Sequence, residues 1–68
     1  MTNTALLEKL IEEKGLKRGY IAKRLNISYP CLAKKIRNEV DFKAVEIQIL
    51  ANVLDIKDTK LRDQIFFA

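Results

Sequence analysis

Residues 18–38 read RGYIAKRLNISYPCLAKKIRN. Tyr20, Ile21, Ala22 and Leu25 give the first part a short apolar face, which predicts a helix over about residues 18–25. Lys17 is a poor cap for it, and Gly19 weakens its first turn by up to about 1 kcal/mol against Ala, so this helix must lean on its neighbours. Asn26 follows, the non-glycine residue best suited to a left-handed turn, and Ile27 is an apolar residue to bury beneath that turn. Ser28 then reads as an N-cap, with Tyr29 and Pro30 as the first two residues of a helix running to about Arg37. Proline is acceptable there because the first amides of a helix have no intrahelical acceptor. Leu32 and Ile36 anchor the inner side. At about 100° per residue, Pro30, Ala33, Lys34 and Arg37 gather opposite them, with Tyr29 at one edge.

The flanks are helical too. Leu6, Leu7, Leu10 and Ile11 form one stripe of a helix over about residues 4–14, capped by Asn3 or Thr4 and ended by Gly15. Beyond a short polar connection, Asn38 to Asp41, the residues Phe42, Val45, Ile49, Val53 and Leu54 trace a helix of about 44–54, with Ile47 and Leu50 on its rim. Asp55 ends it where glycine is commoner. Asp58 or Thr59 caps a last helix, in which Leu61, Ile65 and Phe66 recur at helical spacing. The expectation is an all-α chain, a compact bundle of five short helices forming one domain over residues 1–68.

Side-chain inventory excludes much chemistry. The chain has no His, a single Ser (Ser28) and a single Cys (Cys31), so it cannot assemble a Ser-His-Asp or Cys-His nucleophile, an ordinary zinc site or an intrachain disulfide. Two carboxylates are the catalytic arrangement left, and a small helical chain offers little pocket to hold them. The reading is therefore not an enzyme, with no cofactor, metal or small-molecule ligand. No apolar run approaches the length of a membrane span, and the N-terminus MTNTALLEKLIEEKG has no basic leader before an apolar stretch. A cytoplasmic chain without membrane contact is expected.

Charge points to a partner. Between Lys17 and Arg37 lie seven basic residues and no acidic one, while the flanks carry the other six cations and all nine carboxylates. A +7 block within a chain of net charge +4 is a face for something anionic. Two helices joined by a three-residue turn, with small Ala22 inside the first and apolar Ile27 in the turn, meet the requirements of a helix-turn-helix.

This stretch, with LANVLDI as a fourth helix, resembles the lambda-repressor-like Cro/CI-type (XRE) helix-turn-helix family over nearly the whole chain. The ending LRDQIFFA, together with the DFKAVEI stretch, resembles short regulators carried by phages and mobile elements of Gram-positive bacteria. Departures from the family pattern are Lys17 for a Thr or Ser cap, Arg18-Gly19 for Gln-Glu, Asn26 for Gly, and Asn38-Glu39 for Asn-Gly. The resemblance implies that the third helix enters the major groove of double-stranded DNA. It puts Tyr29, Pro30, Ala33 and Lys34 at base edges, Lys34 donating to guanine and the others touching thymine methyls. It puts Arg18, Ser28, Lys35, Arg37 and Asn38 at phosphates, where contacts set register without reading sequence.

The function so implied is a transcriptional regulator, a Cro-like repressor, binding an inverted-repeat operator as a homodimer and associated with the nucleoid. One helix reads only a few base pairs, so specificity calls for two half-sites. Ile65, Phe66 and Phe67 are the candidate dimer contacts, because they leave more apolar surface than so small a core readily covers. Packing back onto the first helix is the other reading of that tail. The alternative function is a protein-interaction module, an antirepressor or co-repressor that uses the same fold to bind a second regulator.

Overall fold

The computed structural model describes residues 1–67, and among them every regular element is a helix: α1 Thr4–Glu13, α2 Arg18–Leu25, α3 Tyr29–Ile36, α4 Ala44–Val53 and α5 Thr59–Phe66. Each starts where local chemistry allows. Asn3 caps α1 through its side chain to the Leu6 amide, Ser28 caps α3 through Oγ to the Cys31 amide, and Asp58 caps α5 through the Lys60 amide. Lys17 gives α2 no side-chain cap. At α4 the carboxylate of Glu46 turns back to accept from the Lys43 amide at 2.8 Å, one half of a capping box.

The first four helices stop in one way. Gly15, Asn26, Asn38 and Asp55 all take positive φ, between 55° and 67°. Each time the next amide reaches back five residues: Leu16 to Ile11, Ile27 to Ala22, Glu39 to Lys34, and Ile56 to Ala51. These are Schellman stops, which satisfy carbonyls that the helix leaves open. Three are sealed by an apolar residue just after the turn; α3 alone has a charged one, Glu39.

Leu7, Ile11, Ile21, Ala22, Leu25, Leu32, Ile36, Phe42, Ile47, Leu50, Leu54, Ile65 and Phe66 form one core. Helix α2 packs on α3 and α4, and α1 packs on α3 and α5. Buried Ala22 sits on the helix that makes the first two of these contacts. Phe42 and Phe66 meet edge to face, with centroids 5.7 Å apart and rings inclined by 82°. The Cα radius of gyration, 10.6 Å, matches the roughly 11 Å of a single packed domain of this length. Among the described residues no helix is long and apolar enough to cross a membrane.

Three expectations need correction. Ile65 and Phe66 are core residues, fully and almost fully buried, because α5 turns both toward Phe42 and α1; only Phe67 of that trio is exposed. Helix α4 is rotated from the expected stripe, so that Ile47, Leu50 and Leu54 are buried while Val45 is 63% exposed. Tyr20, expected on the inner face of α2, points outward.

An N-terminal strap completes the fold. Thr2 and Asn38 exchange two hydrogen bonds, Thr2 N to Oδ1 at 2.8 Å and Nδ2 to the Thr2 carbonyl at 2.6 Å. Thr4 Oγ1 donates to the Ile36 carbonyl, and the Asn3 amide donates to the Ile65 carbonyl. Three consecutive residues thereby tie the C-terminal end of α3 to that of α5.

Candidate nucleic-acid interface

Helix α3 has two chemically different sides. Ser28, Tyr29 and Pro30 at its start and Lys34 in its last turn are exposed on one side, Tyr29 to 54%, and Ala33 between them is half-buried. Ser28 Oγ lies 3.2 Å from the Cys31 amide, so it serves as a cap and keeps its hydroxyl proton for a further acceptor. Tyr29, Pro30, Ala33 and Lys34 thus lie together along one helix, and among the described residues no carboxylate lies within ion-pair distance of Lys34. Cys31 is a free, half-buried thiol behind this face.

The other polar side chains at the C-terminal end of α3, those of Lys35, Arg37 and Asn38, have partners within the chain. Lys35 is the clearest correction to the phosphate-contact set. Its side chain is 4% exposed, and its ammonium lies 2.5 Å from Glu46 Oε1 and 6.0 Å from the centre of the Phe42 ring. The same Oε1 accepts from the Lys43 amide, so one oxygen joins α3 to the start of α4. Burial pushes the Glu46 carboxyl upward in pKa. The hydrogen bonds from Lys35 and the Lys43 amide, with both lysine charges, prevail and hold it below the usual value.

Asn38 caps α3 in the left-handed conformation, and its amide group is spent on Thr2, which removes it as a side-chain phosphate donor. Arg37 is exposed, but its Nε donates to Glu39 at 2.6 Å. That hydrogen bond and the Arg37 charge lower the Glu39 pKa.

Helix α2 supplies the second half of the face. Arg18 stands at its start, half-buried and 3.6 Å from Glu8 of α1. The uncapped first amides of α2 lie beside Lys17 and Arg18. Further along, Arg24 Nη1 donates to the Tyr20 hydroxyl at 2.8 Å, with its guanidinium carbon 5.9 Å from the ring centre. This pair was not anticipated, although its i, i+4 spacing was open to view. Among the described residues, Lys17, Lys23, Arg24 and Lys34 are therefore the cations of the basic block that meet no carboxylate. Among the described residues no three metal-ligating side chains come together.

Phe67 lies apart from this face, 62% exposed. Compared with protein-family models, curated proteins and solved structures, the chain matches none.

Proposed function

We propose that this chain is a sequence-specific binder of double-stranded DNA, a Cro-like transcriptional regulator that works as a homodimer on an inverted repeat. Helices α2 and α3 act as a helix-turn-helix, and α3 is the recognition helix. The observation that carries this reading is the outward side of α3, where Tyr29, Pro30 and Lys34 are exposed, together with Lys17, Lys23 and Arg24, which like Lys34 meet no carboxylate among the described residues.

Lys34 donates to guanine O6 or N7, while Tyr29, Pro30 and Ala33 meet thymine methyls. Lys17, Lys23 and Arg24, with the Ser28 hydroxyl and Arg18, hold phosphates on either side. Lys35 and Asn38 act indirectly, by fixing the far end of α3 to α4 and to the N-terminus. The protein carries out no bond-making chemistry; it acts by occupying a site.

Selection from a random duplex library at near-physiological salt tests this. Enrichment of an inverted repeat with half-sites about 34 Å apart is expected. If Lys17, Arg18, Lys23 and Arg24 each neutralise one phosphate, affinity per protomer falls by about 3.6 decades for each decade of salt. Enrichment of no sequence, or binding indifferent to salt, overturns the reading.

A further inference from the structure

We propose that the buried pair of Lys35 and Glu46 sets how well α3 distinguishes one sequence from another, although neither side chain touches DNA. Two opposite charges taken out of water gain little stability over a well-packed apolar pair, so stability alone does not account for them. Direction is what an ion pair adds. Apolar contact lets packed surfaces slide, while a hydrogen bond weakens steeply as its length and angle depart from the optimum.

The geometry supplies that direction. Helix α3 rests on α1 and α2, with Leu32 and Ile36 as its buried apolar anchors. Lys35 adds a tie to α4, where its ammonium lies 2.5 Å from Glu46 Oε1. That oxygen also accepts from the Lys43 amide at 2.8 Å, so it is fixed from the α4 side when the lysine meets it. The Phe42 ring centre stands 6.0 Å from the same ammonium, and both charged side chains are more than nine-tenths buried. Ile47 and Leu50 seat α4 in the core. The Asn38 bonds lead elsewhere, to the N-terminal strap.

Lys34, the residue before Lys35, faces outward. A side-chain tip about 6 Å from a helix axis moves about 2 Å when the helix turns by about 20°. Hydrogen bonds to a base edge hold over a range of about 0.5 Å and are lost in such a turn. Attraction between cations and phosphates decays over about 8 Å and hardly changes. A loosened α3 therefore binds duplex almost as well but reads it badly. This role rests on the DNA reading proposed above; the fixed orientation itself belongs to the free protein.

Two variants separate positioning from stability. Lys35→Met with Glu46→Leu removes the directional bond, keeps the net charge and packs as an apolar pair. Glu46→Gln keeps Oε1 as the acceptor for Lys35 and the Lys43 amide but strands the lysine charge, so it melts lower. Fluorescence anisotropy against a selected duplex and a scrambled one, across salt and at a temperature where every variant is folded, gives the readout. The double variant is expected to lose about tenfold of the wild-type preference, all of it on the selected duplex, with the salt slope unchanged. The less stable Glu46→Gln is expected to keep that preference. A double variant as selective as the wild type, or a Glu46→Gln variant that loses selectivity, overturns the proposal. Relaxation dispersion of the α3 amides without DNA gives a separate readout. Microsecond-to-millisecond exchange is expected in the double variant and not in the wild type, and its absence from the double variant overturns the proposal. If the wild type selects no duplex, the DNA reading fails, and the relaxation measurement still decides whether the pair fixes α3.

Discussion

The two sides of α3 carry similar residues and behave differently. Lys34 and Lys35 are neighbours in the chain, yet one lies exposed beside Pro30 and the other is sealed against Glu46 and Phe42. Ser28 and Asn38 are both small polar residues at a helix terminus. The first keeps its hydroxyl proton, and the second spends its amide on Thr2. A basic run in a sequence is thus a mixture of charges facing outward and charges that hold the helix in place. A helix that reads a partner with one side needs its other side fixed.

The most severe way to break the contrast is to unpair the buried side. Glu46→Ala leaves the Lys35 ammonium buried without its carboxylate and the Lys43 amide without its acceptor. A loss of about 3–5 kcal/mol is expected in urea unfolding. Lys35→Met combined with Glu46→Leu should recover most of it, because a well-packed apolar pair costs no desolvation. A double variant as unstable as the single one would show that the ion pair itself, and not the avoidance of a lone charge, holds α3 to α4.

The same pair gives the fold an acid limit. Glu46 titrates below its usual value of 4.5, so its contribution is fully present above that pH and is lost as pH falls through 4.5 and on past the folded-state pKa. Thermal melts from pH 7 to pH 3 should show this decline in the wild type and a shallower one in the Lys35→Met, Glu46→Leu variant.

On the free side, stability and binding should separate. Lys34→Ala is expected to change stability by less than about 0.5 kcal/mol, while lowering affinity for a selected duplex by about 1–3 kcal/mol. Fluorescence anisotropy against the selected site and a scrambled one reads the second effect. A smaller consequence attends Asn38→Gly, which keeps the left-handed stop but removes both bonds to Thr2. About 1 kcal/mol should be lost in unfolding, with duplex affinity little changed at temperatures where the variant is folded. The mildest test is Glu39→Gln. Removing that carboxylate frees Arg37 from an exposed ion pair and should raise duplex affinity about two- to threefold at low salt, an effect that fades as salt screens it.

What was legible in the sequence was local. Gly15, Asn26 and Asp55 announce helix stops through their own conformational preferences, and Ser28-Tyr29-Pro30 announces a helix start. The outward face of α3 at Pro30, Ala33 and Lys34 follows from the inward pull of Leu32 and Ile36. Tertiary facts were hidden. Lys35 and Glu46 stand 11 residues apart across a loop, and nothing in either local pattern shows that they meet. Val45 and Ile47 are equally apolar, so the rotation of α4 was decided by what α2 and Phe42 leave open. At the C-terminus Ile65 and Phe66 complete the inner side of α5, while Phe67 falls just past the helix end, where its backbone leaves the helical path at φ −128°.

The N-terminal strap bears on how the chain folds in time. Four helices stop on locally encoded turns, and a small all-helical chain folds fast, in microseconds to milliseconds, although α1 packs on α3 and α5 and α2 on α4. The bonds from Thr2 to Asn38 and from Asn3 to Ile65 also join the start of the chain to its middle and its end. Their loops are long, so they close late and open first. In native-state hydrogen exchange the Thr2 and Asn3 amides should therefore exchange through a low-energy fraying event, well ahead of Leu32 and Leu50 in the core. A duplex that presses on α3 should slow that fraying, and the N-terminal amides would then report on occupancy of the outward side of the helix.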